Sequence, residues 1–320
     1  CRPFVPTANT TGGQVTPRPD PIPGPGGPGQ PVIVPVAPER ALDTRGSNGD
    51  FDAGGRAAAG SVVRVPIAGH HDVSADAVGV VANLAVVGPD QPGYATMFPC
   101  TADVPEASHV NYLGGETMAN NAVVPLDADG FVCVFTLAAT DLVIDVNGYV
   151  PAGSALGQFT PSRYLDTRTT GAPVAAGGHA RVQIGGVGEV PVDATAAVVN
   201  VTAVGPTGDG FATVYPCAGD PQAASTLNYT AGQFVPNGAT APLSPDGELC
   251  VFTLAAAHLI VDVAGYVPAG TGGLGTTEPT RLYDSRPNDR LAAGGRVEVQ
   301  VAGRGLIPAD ATGALLNVAV

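Results

Sequence analysis

Residues 69–153 and 186–270 align at a constant offset of 117 without a gap, and 42 of the 85 positions are identical. Self-similarity at a fixed period marks a duplicated folding unit, so the chain must build one compact fold twice. The matched positions include Asn83/Asn200, Pro99-Cys100/Pro216-Cys217, Asn111-Tyr112/Asn228-Tyr229, Asn120/Asn237 and Cys133/Cys250. Both copies end on one phrase, Asp145-Val146-Asn147-Gly148-Tyr149-Val150 and Asp262-Val263-Ala264-Gly265-Tyr266-Val267.

A third copy opens but is not completed within the sequence. Each unit begins on a short motif: Arg40-Ala41-Leu42-Asp43-Thr44-Arg45, Arg163-Tyr164-Leu165-Asp166-Thr167-Arg168 and Arg281-Leu282-Tyr283-Asp284-Ser285-Arg286. The third copy follows the pattern through Gly303, Asp310 and Asn317, whereas the offset of 117 puts its end about 67 residues past Val320. The expected layout is a Pro/Gly-rich tether (1–38), repeat 1 (39–153), a linker (154–160) and repeat 2 (161–270). A second linker (271–278) and a partial repeat 3 (279–320) follow, to be completed by further chain or by another subunit. A half unit leaves an apolar face and open strand edges, which invites association. The candidate donor of a missing strand is Val32, Ile33, Val34 and Val36, an apolar and β-prone stretch between prolines.

Within a repeat the signal is strand after strand, with no sustained helical period. In repeat 2 strands are expected near 180–184, 196–204, 212–215, 226–229, 248–254 and 258–267. Asp246-Gly247 and Gly208-Asp209-Gly210 separate them as tight turns, since Gly accepts the positive φ that such turns need. Short strands at this density predict an all-β fold of tandem antiparallel β-sandwiches, with small closed β-barrels as the alternative.

The chain has 14 Lys and Arg against 28 Asp and Glu, a net charge of −14. A nucleic-acid surface needs clustered cations to displace phosphate counterions, so nucleic acid is excluded as a partner. No apolar run reaches the ~18–20 residues of a membrane span. Cys100 and Cys133 lie 33 apart, as do Cys217 and Cys250, and equivalent placement in two copies reads as one disulfide per unit. Such bridges belong outside the reducing cytoplasm. Cys1 has no counterpart in the repeat; it is a candidate for the lipidated residue of a lipoprotein, or simply where the sequence starts.

The polar motifs point to structure rather than catalysis. Arg40, Asp43 and Arg45, with Arg163, Asp166 and Arg168 and Arg281, Asp284 and Arg286, form either a ligand clamp or a latch internal to each unit. Presence in every copy favours the latch. Asp145/Asp262 and Asn83/Asn200/Asn317 interrupt apolar runs and are expected to be hydrogen-bonded to turn backbone. Asp127-Ala128-Asp129-Gly130 lacks the ligands of a calcium loop, leaving at most weak Ca²⁺ binding by acidic turns and no cofactor. No catalytic acid has a partner acid or His in both copies.

Taken together, Arg-x-Leu-Asp-Thr-Arg, Val-Asn-Val-Thr-Ala-Val, Tyr-Pro-Cys, Asn-Tyr and Val-Asp-Val-x-Gly-Tyr resemble a tandem repeat of secreted and cell-surface actinobacterial proteins. The resemblance spans roughly 38–320 and implies an extracellular, non-catalytic module. The functional expectation is a structural or adhesive extracellular protein that self-associates into a surface layer or filament. The alternative is a module that binds cell-wall or other polysaccharide.

Overall fold

The computed structural model describes residues 31–46, 55–221, 224–272, 274–277, 280–286 and 290–318. Repeat 1 supplies β1 (Val34–Asp43), β2 (Val62–Pro66), β3 (Gly79–Val87), β4 (Gly93–Pro99), β5 (Val110–Tyr112), β6 (Thr117–Pro125), β7 (Phe131–Thr136) and β8 (Asp141–Val150). Repeat 2 supplies β9 (Gly157–Asp166), a single helical turn α1 (Thr167–Thr170), β10 (His179–Gln183), β11 (Ala196–Val204), β12 (Gly210–Pro216), β13 (Leu227–Tyr229), β14 (Phe234–Pro242), β15 (Glu248–Thr253) and β16 (His258–Val267).

Each repeat is a sandwich of two four-stranded antiparallel sheets, with order β1-β8-β3-β6 against β2-β7-β4-β5 in repeat 1 and the equivalent order β9-β16-β11-β14 against β10-β15-β12-β13 in repeat 2. The closed barrel is thereby replaced by two separate sheets. Consecutive strands mostly alternate between the sheets, so their inward-facing residues form one core. In unit 1 that core contains Leu42, Leu84 and Ile144 from one sheet and Val65, Met97 and Val132 from the other. Val182, Val199, Val214, Leu249 and Val261 do the same in unit 2. The alternation of buried and outward residues is the period of two that a half-covered strand imposes.

The repeated closing phrase has a steric reason. Gly148 faces the backbone of β1, where a Cβ would lie 2.8 Å from the Val34 carbonyl oxygen. Gly265 faces β9 in the same way, 2.5 Å from the Gly157 carbonyl oxygen. A side chain at either position would push the edge strand off its sheet.

Each disulfide staples two adjacent strands of one sheet. Cys100, just past β4, bonds Cys133 on β7, and Cys217 bonds Cys250 on β15, with Cα–Cα distances of 4.9 and 5.0 Å.

Two expected boundaries move. Val32 is fully buried and β1 begins at Val34, so unit 1 starts before residue 39. The candidate donor strand is therefore used at home: Val34 pairs with Tyr149 and Pro35 with Gly148, at an edge that tolerates proline. β9 begins at Gly157, inside the expected linker. Among the described residues of 280–318 no strand forms, so the expected partial repeat 3 is without strands there. Cys1 lies outside the described residues.

Candidate functional site

The Arg-x-x-Asp-x-Arg motif folds into a local ion-pair cluster at the end of each unit's first strand. Asp43 accepts from the Arg45 backbone N–H at 3.1 Å and from Arg45 Nε at 2.9 Å, and Arg40 Nη1 reaches it at 2.6 Å. In repeat 2, Asp166 caps α1 by accepting from the Arg168 N–H at 3.0 Å, with Arg168 Nε at 2.9 Å and Arg163 Nη1 at 3.3 Å. Asp284 binds Arg286 Nε at 2.9 Å and Arg281 Nη1 at 3.1 Å, although its strand is not formed. The cluster thus needs only its own six residues. Hydrogen bonds from Arg45 hold the Asp43 carboxyl down at about 2. In Asp166 burial works the other way, but the Arg168 hydrogen bonds outweigh it and the carboxyl is again lowered.

The first Arg of the motif also crosses to the closing phrase, since β1 pairs with β8 and β9 with β16. Arg40 hydrogen-bonds Asp145, its direct cross-strand neighbour. Arg163 donates to Asp262 through Nε at 2.8 Å and Nη2 at 3.1 Å. Such a bidentate fork fixes both side chains. The two pairs differ in exposure: the Asp145 side chain is 29 % exposed and that of Asp262 only 1 %. Burial pushes the Asp262 carboxyl above its ordinary value, against the pull of Arg163.

What covers Asp262 is unit 1. Arg163 Nη2 donates to the Glu106 carbonyl at 3.4 Å, and the Asn200 amide donates to the Ser108 carbonyl at 2.6 Å. Asn120 Nδ2 donates to Asn200 Oδ1 at 2.8 Å and to the His109 carbonyl at 2.7 Å, while Asn120 Oδ1 accepts from the Gly238 N–H at 2.9 Å. Gly238 is needed here, because a Cβ would lie 2.2 Å from the Asn121 carbonyl oxygen. Beside these amides a separate apolar cluster joins Val81, Val123 and Val150 to Val198, Ala264 and Val267, with Val32 and Leu156 filling it. The tail edge of unit 1 (Glu106–His109 and Asn120) is thus seated on the head face of unit 2 (Arg163, Asn200 and Asp262).

The same joint recurs one repeat later. Asn317 Nδ2 donates to the carbonyls of Ser225 at 2.9 Å and Thr226 at 3.0 Å, and Asn237 Nδ2 donates to Asn317 Oδ1 at 3.3 Å. Every one of these residues is the counterpart, 117 positions on, of one in the first joint.

No family model matches the chain, and no curated protein matches it. Among solved structures it is similar to the N-terminal CBM22-1–CBM22-2 tandem domain from Paenibacillus barcinonensis Xyn10C, at 10 % identity. That alignment covers 72 % of this chain and 98 % of the other with a TM-score of 0.19, a score that bears on neither fold nor function here.

The structure separates the residues singled out from the sequence. Asn200 and Asn317 do not bond to turns of their own units; their partners belong to the preceding one. Asp127 Oδ1 accepts from the N–H groups of Asp129 at 3.0 Å and Phe131 at 2.9 Å, which makes that segment a turn. Tyr112 and Tyr229 are buried, each hydroxyl within 2.9 and 2.7 Å of Thr136 and Thr253. Among the described residues no His, Cys, Asp and Glu side chains group as metal ligands, and no helix is long and apolar enough to cross a membrane. The joint itself was missed. Its signal was a second repeated asparagine, Asn120/Asn237, alongside Asn83/Asn200/Asn317.

Proposed function

We propose that this chain is a non-catalytic extracellular structural protein whose β-sandwich units are made to lock onto one another. The observation that carries the reading is the recurrence of one side-chain joint, Asn120 on Asn200 and Asn237 on Asn317, at the repeat offset. The two disulfides add support, since bonds of this kind persist in oxidising compartments. The repeated polar groups are largely taken up by the fold: Arg and Asp pair within each cluster, and Asn120, Asn200, Asn237 and Asn317 bind across the joints. The role is mechanical, a rigid run of modules at the cell surface.

Calorimetry on the full chain tests it. Units 1 and 2 should unfold in one transition, and Asn200→Asp should split that transition in two by placing a carboxylate against the Ser108 carbonyl. If the transition is already split in the native sequence, while soluble cell-wall polysaccharide binds at micromolar affinity, the units are independent binding modules and the reading is wrong.

A further inference from the structure

The joint between units is directional: a tail edge always meets a head face. Repeat 1 gives its tail to repeat 2, and repeat 2 gives its tail to Asn317 of repeat 3. Among the described residues this leaves the head face of unit 1, made of Arg40, Asn83 and Asp145, without a tail. The vacancy is visible in burial. The outward positions of β11 (Val198, Asn200, Thr202 and Val204) are all buried, whereas Asn83, Ala85 and Val87 on β3 are only half-buried. Asn83 makes no side-chain hydrogen bond among the described residues.

A heterologous contact applied repeatedly gives an open array unless its rotation closes. Here the third repeat does not lead away from the first. Asn317 and Leu316 line one cavity of about 460 Å³ together with Asn83, Asp145 and Asn147 of unit 1. Gly313 lies against Pro35 of β1, where a Cβ would be in ordinary van der Waals contact at 3.4 Å from Pro35 Cγ. Two steps of the joint have therefore brought the chain back to the face from which it started.

We propose that the head face of unit 1 is a docking surface for the tail edge of a third unit of this same fold, closing three repeats into a ring around the asparagine-lined cavity. The inference rests on the joint being the protein's working contact, as proposed above. The recognising groups are those of the occupied joints: backbone carbonyls and an asparagine amide from the tail, presented to Asn83 and the Arg40–Asp145 pair. The counterpart of Asn120 and Asn237 in such a unit lies 117 residues beyond Asn237, outside this sequence.

The experiment supplies that edge. In a Cys1→Ser background, residues 204–270 are joined after Val320, so that repeat 3 is completed with the second repeat's own sequence. Oxidation of the grafted copies of Cys217 and Cys250 reports that the added half has folded. If they stay reduced, the same measurement is made with residues 161–270 in place of 279–320. Asn83→Cys and a cysteine at the grafted copy of Asn237 are treated with a short bis-maleimide, and Asn120→Cys with Asn200→Cys serves as the control pair.

Ring closure predicts intramolecular cross-linking of the Asn83 pair to within about twofold of the control. If the control links and the Asn83 pair stays at least tenfold lower, the ring is wrong while the joint stands. If the control also fails and the unsubstituted chain unfolds in two transitions, the joint itself is wrong. Links between chains, in the unextended protein carrying Asn83→Cys and Asn237→Cys, would assign the face to a second copy and overturn closure within one chain.

Discussion

Asn120 Nδ2 donates to Asn200 Oδ1 at 2.8 Å across 80 residues of sequence, and Asn237 Nδ2 donates to Asn317 Oδ1 at 3.3 Å with the same separation. Two amides paired between sandwiches, with their remaining groups on backbone, make a polar contact that stabilises only when complete. Asn200→Ala strands the half-buried Ser108 carbonyl and half of Asn120, and should destabilise the full chain by about 1–3 kcal/mol in urea unfolding. Asn83→Ala, the same residue on the vacant face, should change stability by less than about 0.5 kcal/mol. A double-mutant cycle on Asn120 and Asn200 should give a coupling of about 0.5–1.5 kcal/mol. Equal effects of the Asn83 and Asn200 changes would show that unit 1 does not seat on Asn200.

The ion-pair motif offers a second comparison, since one sequence pattern occurs in three surroundings. Asp166 is largely shielded and receives Arg163, Arg168 and the α1 backbone. Asp166→Ala should cost about 1–3 kcal/mol, the usual penalty for stranding partly buried donors. Asp284, whose partners Arg281 and Arg286 are 45 % and 76 % exposed, should be replaceable by Ala without a measurable change in melting temperature. A loss of stability at Asp284 as large as at Asp166 would mean that the cluster itself, rather than its burial, carries the energy.

Much of this architecture was legible in the sequence. Two-residue alternation and Gly-rich turns located β11 and β16 to the residue, because both are long, apolar and bounded by turn signals. β14 was missed: it reads Phe-Val-Pro-Asn-Gly-Ala-Thr-Ala-Pro, with prolines and a glycine that local rules assign to a loop. It stays in the sheet because it is an edge strand, where Pro236 has no ladder donor to lose and Gly238 admits the Asn121 backbone. The disulfides were legible because equal spacing in two copies removes the ambiguity of pairing. The joint was not, since a hydrogen bond between units leaves no periodicity; only the offset between Asn120 and Asn237 recorded it.

The disulfides close 33-residue separations, and chain entropy alone gives each roughly 3–4 kcal/mol of stabilisation. Replacing Cys217 and Cys250 together by Ala should lower the stability of unit 2 by up to that amount and leave the Cys100–Cys133 bond intact on non-reducing peptide mapping. Recovery of Cys100 joined to Cys217, or of free thiols in the native protein, would overturn the assignment.

His109 gives the chain a pH dependence that its sister unit lacks. Its ring is fully enclosed, Nδ1 accepts from the Met97 N–H at 3.1 Å, and its carbonyl takes the Asn120 amide. Burial holds the imidazole down at about 4, from an ordinary 6.5. As pH falls below 6.5 the unfolded chain takes up a proton that the folded one refuses until about 4. The unfolded state binds more protons in that window, so stability drops with pH across it and levels off below; the full loss is about 3 kcal/mol. In unit 2 the same place is held by Thr226, whose hydroxyl accepts from the Val214 N–H at 3.0 Å without titrating. His109→Thr should therefore retain the hydrogen bond and flatten the profile between pH 6.5 and 4, whatever it does to stability at pH 7. Asp43, held at about 2, acts mainly below this window, and Asp262, raised by burial, works in the opposite direction in both proteins, so the difference between the two profiles isolates His109. Urea unfolding of both proteins at pH 7.0 and 4.5 decides the matter: an identical loss in the two would place the acid sensitivity somewhere other than His109.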